Sequence, residues 1–390
     1  MTTLEAWNVD EGVRRASERF RSAFDEAPAV VTLAPGRVNL IGEHTDYNGG
    51  LCLPIALPHA AYAAARARDD GRIRLVSGEQ RKTWEGSYQD LTAARGWAGY
   101  ASGVVWALGE AGHRVDGLDL AVSGCVPLGA GLSSSAALEC SVGLAVLSLL
   151  GQEDSPALRR TVADAGVRAE TEVAGAPTGG MDQTVAVLGT SDHALLLDCR
   201  SWATRQVPFE PEAAGLTLLV VDTRVHHSLG DGGYGSRRAD CEEAARALGV
   251  ETLREATLDD LDRIRDERVG RRARHVVTEI ARVSETAEAL SAADWTLVGT
   301  LMLASHDSMR DDFEISCAEL DAVVETATAQ GAIGARMTGG GFGGSAIALV
   351  PADRVDEVRT AVTAAFADHG WRAPSYLPAR ASDAARVLRG

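Results

Sequence analysis

Apolar and polar residues alternate along this chain at two spacings, and the switches between them mark out its elements. Charged and apolar residues recur at helical spacing from Val13 to Phe24, which predicts a surface helix ahead of the first strand. Val30 to Leu33 and Leu51 to Leu57 are strand-like apolar runs, separated by a polar stretch. Ile73 to Val76 reads as a short strand and Trp97 to Leu108 as a helix. Leu118, Leu120 and Val122 alternate as one face of a strand does. From Ala136 to Leu150 nearly every face is apolar, the mark of a helix at the centre of its domain. Leu158, Val162, Ala165, Ala169 and Val173 define a further helix that stops at Gly175-Ala-Pro. Thr184 to Leu188 and Ala194 to Leu197 read as strands or core segments, and 200–215, with Pro208 and Pro211, as loop.

The second half alternates helices (240–248, 271–290, 295–305, 318–329, 353–368) with strands (216–221, 332–337, 345–350). This mixture lacks a regular strand–helix repeat, so an α+β fold is predicted rather than a doubly wound sheet. The boundary is placed in the loop-like stretch, giving an N-terminal domain over 1–205 and a C-terminal domain over 206–390.

Composition narrows the function. With 38 basic against 55 acidic residues the net charge is −17, a field that disfavours nucleic acid and anionic membranes as partners. Any phosphate ligand must be held by local groups: arginine, a helix N-terminus or Mg²⁺. The six cysteines form no Cys-x-x-Cys pair, so buried thiols in a reducing compartment are expected. Val142 to Leu150 is too short to span a bilayer, and residues 1–10 lack a signal-peptide core, so a cytoplasmic location is expected. The single lysine, Lys82, sits in a polar segment without a glycine frame. That disfavours a Walker-A loop and Schiff-base chemistry, both of which need a lysine in the site.

Three segments carry the candidate chemistry. Between Ala34 and Gly50, Arg37, Glu43, His44 and Asp46 crowd into ten residues framed by Gly36, Gly42, Gly49 and Gly50. Such a cluster is either paired internally or aimed at something polar. In Pro127 to Glu139, Gly129 and Gly131 lead into a helix that opens with Ser133, Ser134 and Ser135. Its free amides suit phosphate, and a serine hydroxyl suits Mg²⁺, although serine is also a common N-cap. Thr338 to Ser345 holds five glycines in its first seven residues, implying close approach of backbone to a ligand or to another loop. Its Gly341-x-Gly-x-x-Ala match to a dinucleotide fingerprint is weak, because a strand-like run follows where a helix is needed. Asp182 follows the turn at Gly179-Gly180, and Glu170 lies twelve residues earlier on the preceding helix. Two acids near a phosphate loop can divide metal binding and proton transfer between them, although Asp182 alone also suits a cap.

In this order the three clusters resemble those of the galactose/homoserine/mevalonate/phosphomevalonate kinase superfamily. Gly36-Arg-Val-Asn-Leu-Ile-Gly-Glu-His-Thr-Asp-Tyr-Asn-Gly49 is similar to the galactokinase-family signature almost residue for residue. The resemblance covers roughly 28–350 and implies a two-domain kinase with its active site between the domains. It implies Mg²⁺-dependent transfer of the ATP γ-phosphoryl to the C1 hydroxyl of galactose. Asp182 would be the general base, with Arg37 beside it offsetting phosphoryl charge. Glu43 and His44 would hold the C6 hydroxyl and Asp46 the C3 and C4 hydroxyls, with Gly179 and Tyr234 completing the pocket. Gly129, Gly131, Ser133, Ser134 and Ser135 would cradle the phosphates, Trp97 would face the adenine, and Ser135 and Glu170 would ligate Mg²⁺.

Two features depart from the family pattern. Thr178-Gly179-Gly180 stands where Cys-Gly-Ile is usual, and His226 precedes His227-Ser228 where a fixed cation is common. A related sugar kinase and a non-catalytic galactose sensor are the alternatives, and Ser135-Ala136 argues against the sensor. The oligomeric state is not legible; a monomer is the working expectation.

Overall fold

The computed structural model describes residues 1–78, 83–176, 178–225 and 233–389. Lys82, His226, His227, Ser228 and Asp231 lie outside the described residues. In chain order the main elements are β1 (Thr2–Thr3), α1 (Val9–Phe24), β2 (Val30–Asn39), β3 (Leu51–Cys52), β4 (Pro54–Ala67), β5 (Ile73–Ser77), β6 (Thr83–Gly86), α2 (Trp97–Glu110), β7 (Leu118–Gly124) and α3 (Ser134–Leu149). There follow α4 (Pro156–Arg168), which continues as a π-helical turn over Ala169–Ala174, α5 (Met181–Leu188), β8 (His193–Asp198), β9 (Thr204–Pro208) and β10 (Leu216–Asp222). The chain ends with α6 (Gly233–Leu248), α7 (Glu267–Ser291), α8 (Trp295–Asp307), α9 (Ala318–Ala329), β11 (Gly334–Thr338), β12 (Ser345–Pro351), α10 (Val355–Asp368), β13 (Ser375–Ala379) and β14 (Arg386–Arg389).

Among the described residues the strands form three sheets, ordered β14-β2-β4-β7-β5-β6, β1-β13-β10-β12-β11 and β3-β8-β9, an α+β architecture. The chain ends cross over: β14 pairs with β2, and β1 pairs with β13. The longest strand, β4, is rich in alanine, a weak strand former that periodicity alone does not reveal. Its small side chains let helices approach both faces of the first sheet. Phe20 and Phe24 of α1 pack with Tyr62 and Ala64 on one side, while Val104 and Leu144 of α2 and α3 pack with Ala63 and Leu120 on the other.

A second core joins the two large sheets. Val38, Leu40, Leu53 and Ile55 pack against Leu218, Val220, Ile347 and Leu349. The distal half of β2, which leads into the charged loop, is therefore wedged against the second sheet rather than solvated.

Three sequence expectations are corrected. Thr184 to Leu188 is helix, not strand: buried residues run from Gln183 to Val187, and the Thr184 hydroxyl closes on the Gly180 carbonyl at 2.7 Å. A short apolar run buried on all sides fits either element, which is why the pattern was ambiguous. The 200–215 loop contains β9, an edge strand whose largely exposed residues show no alternation. The strands β13 and β14 also lie beyond the elements read from periodicity.

One close contact positions the strand that matters most below. A Cβ on Gly299 of α8 would lie 2.1 Å from the Ile333 carbonyl oxygen, and one on Gly334 of β11 would lie 2.4 Å from the Gly299 Cα. Only glycines allow this crossing. Gly299→Ala gains about 1 kcal/mol in helix propensity but forces the crossing apart, at about 1–3 kcal/mol or more for overpacking. The midpoint of urea unfolding is expected to fall; an unchanged or higher midpoint would show that the crossing is not tight.

Candidate active site

The site begins at a bulge in β2. The pairing with β4 shifts register between Pro35 and Arg37. A Cβ on Gly36 would sit 2.6 Å from the Leu132 carbonyl oxygen, so glycine lets the strand touch the serine-rich loop. The Arg37 amide donates to that same carbonyl at 3.1 Å. Its buried side chain then spans the junction. Nε donates to Asp182 Oδ1 at 2.7 Å, Nη2 to Oδ2 at 2.9 Å, and Nη1 to the Gly131 carbonyl at 2.6 Å. Such a two-pronged arginine–carboxylate pair fixes both position and plane. Asp182 stands in the first turn of α5, and the Ser133 hydroxyl also donates to its Oδ2.

Ser133 does not cap α3. Its backbone is left-handed, at φ +56°, and its hydroxyl is committed to Asp182 instead of the helix amides. A non-glycine residue held in that region costs about 1–3 kcal/mol and needs its surroundings to hold it there. The first turn of α3, with Ser134 and Ser135, has no side-chain cap, which suits an incoming anion. Gly129 and Gly131, at φ +75° and +74°, bend the loop so that it reaches α3.

Acidic groups crowd the opposite wall. Burial raises Glu170 to about 7, and the Asp182 charge adds to the shift, while Ser135 and Gln183 pull it back. Gln183 Nε2 bridges Glu170 and the fully buried Glu139, at 2.8 and 2.9 Å. Burial also pushes the Glu139 carboxyl well up. The oxygens of Ser135 and Glu170 fit a hard divalent cation, which takes oxygen donors and keeps some of its own water. Among the described residues no three histidine, cysteine, aspartate or glutamate side chains are arranged to hold a metal ion by themselves.

Asp46 lies in a half-buried one-turn helix over Asp46–Asn48. A Cβ at Gly179 would fall 2.1 Å from its Oδ2, so glycine makes room for the carboxylate. Burial raises Asp46 to about 6, and the charge on Asp182 adds to it. Tyr234, in the first turn of α6, stacks obliquely on His44 with ring centroids 5.0 Å apart. Burial, helped by the Asp46 and Asp182 charges, keeps its phenol protonated. Trp97 opens α2, half-buried against the first core.

Glu43 and His44 already have protein partners. Glu43 Oε1 accepts from Thr338 Oγ1 at 3.1 Å and the Gly339 amide at 2.9 Å, and Oε2 accepts from Arg336. Burial drops His44 to about 3, leaving a neutral ring. Since a carbonyl only accepts, Nε2 donates to Gly340 O at 3.1 Å, and Nδ1 accepts from the Tyr47 hydroxyl at 2.8 Å.

Sequence reading missed Arg336, Glu279 and Gln183. Arg336 interrupts a predicted apolar strand, and Glu279 falls on the buried stripe of α7; a charge at either kind of position must find a partner. The family departure at Gly180 has a local cause: with φ +89°, a Cβ there would meet the Trp202 ring at 2.8 Å. The glycines at 341–344 run into β12 and not into a helix, which removes the dinucleotide reading.

Comparison with known proteins fits this geometry. Residues 18–67 match the galactokinase galactose-binding signature, 99–190 the GHMP kinases N terminal domain and 286–368 the GHMP kinases C terminal domain. The mevalonate kinase of Methanococcus jannaschii shares the fold with a TM-score of 0.64, at 16% identity over 91% of this chain and 99% of its own. Fold and matched domains thus define a kinase of the GHMP class.

Within that class the similarity sharpens. A galactokinase of Streptomyces coelicolor is 50% identical over 381 residues, covering 95% of this chain and 97% of that protein, and one of Mycobacterium tuberculosis is 44% identical over 364 residues, covering 91% and 98%. The structure of Lactococcus lactis galactokinase complexed with galactose superposes with a TM-score of 0.90, at 32% identity over 97% of this chain and 100% of its own. The chain belongs to the galactokinase family.

The raised Asp46 carboxyl has a measurable consequence. Because its folded value, about 6, exceeds the ordinary 3.8, holding it charged costs stability above pH 6, and the cost vanishes below about pH 4. In ligand-free protein, Asp46→Asn is expected to raise unfolding stability at pH 7 by roughly 2 kcal/mol, with the gain lost by pH 4. Equal stability of the two proteins at pH 7 in chemical denaturation would contradict this.

Proposed function

We infer that this chain is a galactokinase that transfers the γ-phosphoryl of ATP to the C1 hydroxyl of galactose. The observation that carries this reading is the Arg37–Asp182 pair, set where the phosphate-binding loop meets the Asp46 pocket. Asp182 takes the C1 proton as the sugar oxygen attacks the γ-phosphorus. The bond from phosphorus to the β-phosphate oxygen breaks, and ADP leaves with those electrons. Arg37 and Ser133 hold the carboxylate in plane, and the guanidinium also offsets charge spread over the transferring group. The amides at the start of α3 and the hydroxyls of Ser134 and Ser135 receive the phosphates, with Gly129 and Gly131 shaping the approach, and Trp97 lies toward the adenine. Ser135 and Glu170 would hold Mg²⁺, which when bound neutralises phosphate charge.

Asp46 and Tyr234, with the Gly179 backbone, read the sugar. A charged acceptor left unpaired by the wrong epimer penalises it, which distinguishes galactose from glucose at C4. The same proposal takes residues 1–205 and 206–390 as the two domains, and describes a cytoplasmic monomer acting on galactose and ATP without nucleic acid or membrane. Among the described residues no helix is long and apolar enough to cross a membrane.

Asp182→Asn is expected to lower kcat by about 10²–10⁴; a kcat within a factor of a few of wild type would remove Asp182 as the base. A panel of hexoses and pentoses in a coupled ADP-release assay is expected to give galactose the highest kcat/KM, with turnover abolished by chelating Mg²⁺. A preferred sugar other than galactose would make the chain a related sugar kinase. Binding of galactose and ATP without ADP release would make it a sensor.

A further inference from the structure

We propose that Gln183 is a positioning residue for Mg²⁺ binding: its side-chain amide, pinned by Glu139, holds the Glu170 carboxylate where the ion needs it. The inference rests on the reading of Ser135 and Glu170 as ion ligands and deepens it.

Gln183 follows Asp182 on α5, and the two side chains serve different partners. Asp182 meets Arg37 and Ser133. Gln183 Nε2 donates instead to Glu170 Oε2 at 2.8 Å and to Glu139 Oε2 at 2.9 Å. Gln183 and Glu139 have no exposed surface, and Glu170 keeps only 8% of its own. Three elements meet in this bridge. Glu139 lies on α3 one turn beyond Ser135, and Glu170 belongs to the π-helical turn that continues α4. Such turns are frequent at functional sites, because they break the regular spacing of a helix. A Cβ on Gly166 of α4 would lie 2.9 Å from Gln183 Cγ and 3.1 Å from Glu139 Oε2, so the missing side chain there makes room for the bridge.

The two carboxylates dictate which way the amide faces. Both hydrogens on Nε2 go to carboxylate oxygens, and an inverted amide would set its own oxygen against them. This orientation has a cost. Among the described residues Gln183 Oε1 and Glu139 Oε1 are buried with no hydrogen-bond partner. Apolar side chains of the same shape would avoid that cost, so stability alone gives no reason for the arrangement. What the bridge achieves is a fixed ligand. The Asp182 charge opposes that of Glu170, and without Gln183 the Glu170 side chain would be free to turn away from it. Outer partners of this kind orient metal ligands and set metal affinity. A neutral amide suits the task better than an arginine or lysine, because it orients the carboxylate and leaves its charge for the cation.

The experiment titrates the non-hydrolysable analogue β,γ-imido-ATP into the full chain by calorimetry, once with excess Mg²⁺ and once with EDTA, for wild type, Gln183→Met and Gln183→Asn. Methionine keeps the volume and removes the donors. Asparagine keeps an amide too short to span both carboxylates, and holds the test open should loss of the donors prevent folding. The ratio of Kd in EDTA to Kd in Mg²⁺ is expected to fall about tenfold in Gln183→Met and about threefold in Gln183→Asn, with Kd in EDTA changed less than about twofold. A wild-type ratio in the variants overturns the proposal, whether neither Kd moves or both weaken together, because a merely structural role acts on the nucleotide with or without the ion. Wild type that binds the analogue equally well in Mg²⁺ and EDTA would overturn the ion-ligand reading, and the proposal with it. Wild type that shows the Mg²⁺ effect yet leaves galactose unphosphorylated by ATP would instead overturn the galactokinase reading, a result separate from the ratio.

Discussion

The structure turns on the burial of charge at the seam between its two large sheets. Arg336, Glu43 and Glu279 lie far apart in sequence, and each has at most a few per cent of its surface exposed. A buried ion is tolerated only with a partner and satisfied hydrogen bonds, and removing one member leaves the others stranded. Two carboxylates here compete for one guanidinium. Glu279 also has Arg282 and is held down at about 2, whereas burial keeps Glu43 above its ordinary range despite Arg336. Replacing the cluster with well-packed apolar residues would probe stability alone; what the charges add is a directional tie between a strand of the second sheet and a loop of the first.

The same seam explains why the groups of the candidate site can be strained and acid-rich. Ser133 is held left-handed, and Glu139, Glu170, Asp182 and Asp46 are gathered in a chain already carrying −17. Mutual repulsion and desolvation work against folding in this region. The apolar core formed by Val38, Leu40 and Ile55 with Leu218, Val220 and Leu349 supplies the compensation. Glycines do the fine placement: Gly36 brings β2 to Leu132, and Gly179 clears space for Asp46. A cation entering this field relieves that repulsion.

Much of this was legible in the sequence. Helices such as α1 and α4 showed clear periodicity, α3 stood out as apolar on nearly every face, and the three glycine-rich segments announced themselves by composition. Their mutual arrangement was not legible. The Thr338–Ser345 glycines read as a loop approaching a ligand or another loop, and in the structure they press on the loop of Gly129 and Gly131: Ser345 Oγ donates to the Ala130 carbonyl at 2.7 Å, and a Cβ on Gly339 would meet the Gly131 carbonyl at 3.1 Å. Beyond Leu57, alanine-rich β4 was hidden because its small side chains serve close packing, not alternation. The edge strands β9 and β14 were hidden because exposed residues carry no pattern. Arg336 was hidden because a single charge in an apolar run identifies no partner until the fold supplies one.

These observations give the third glycine segment a definite place in the site. From one stretch of β11 and the turn after it, Arg336, Thr338 and Gly339 hold Glu43, and Gly340 takes the His44 proton donor. The following residues, Gly344 and Ser345, back Ala130 of the loop proposed to bind phosphate. The proposed sugar and phosphate loops are thus both referenced to the turn that joins β11 to β12, not merely to each other. For in-line transfer this matters, because an error of an ångström between the sugar oxygen and the γ-phosphorus forfeits much of the advantage of holding them together. A glycine-rich turn serves this purpose where larger residues could not. Its bare backbone lets two functional loops close on it from opposite sides, and the buried side chains that flank it set the register of both.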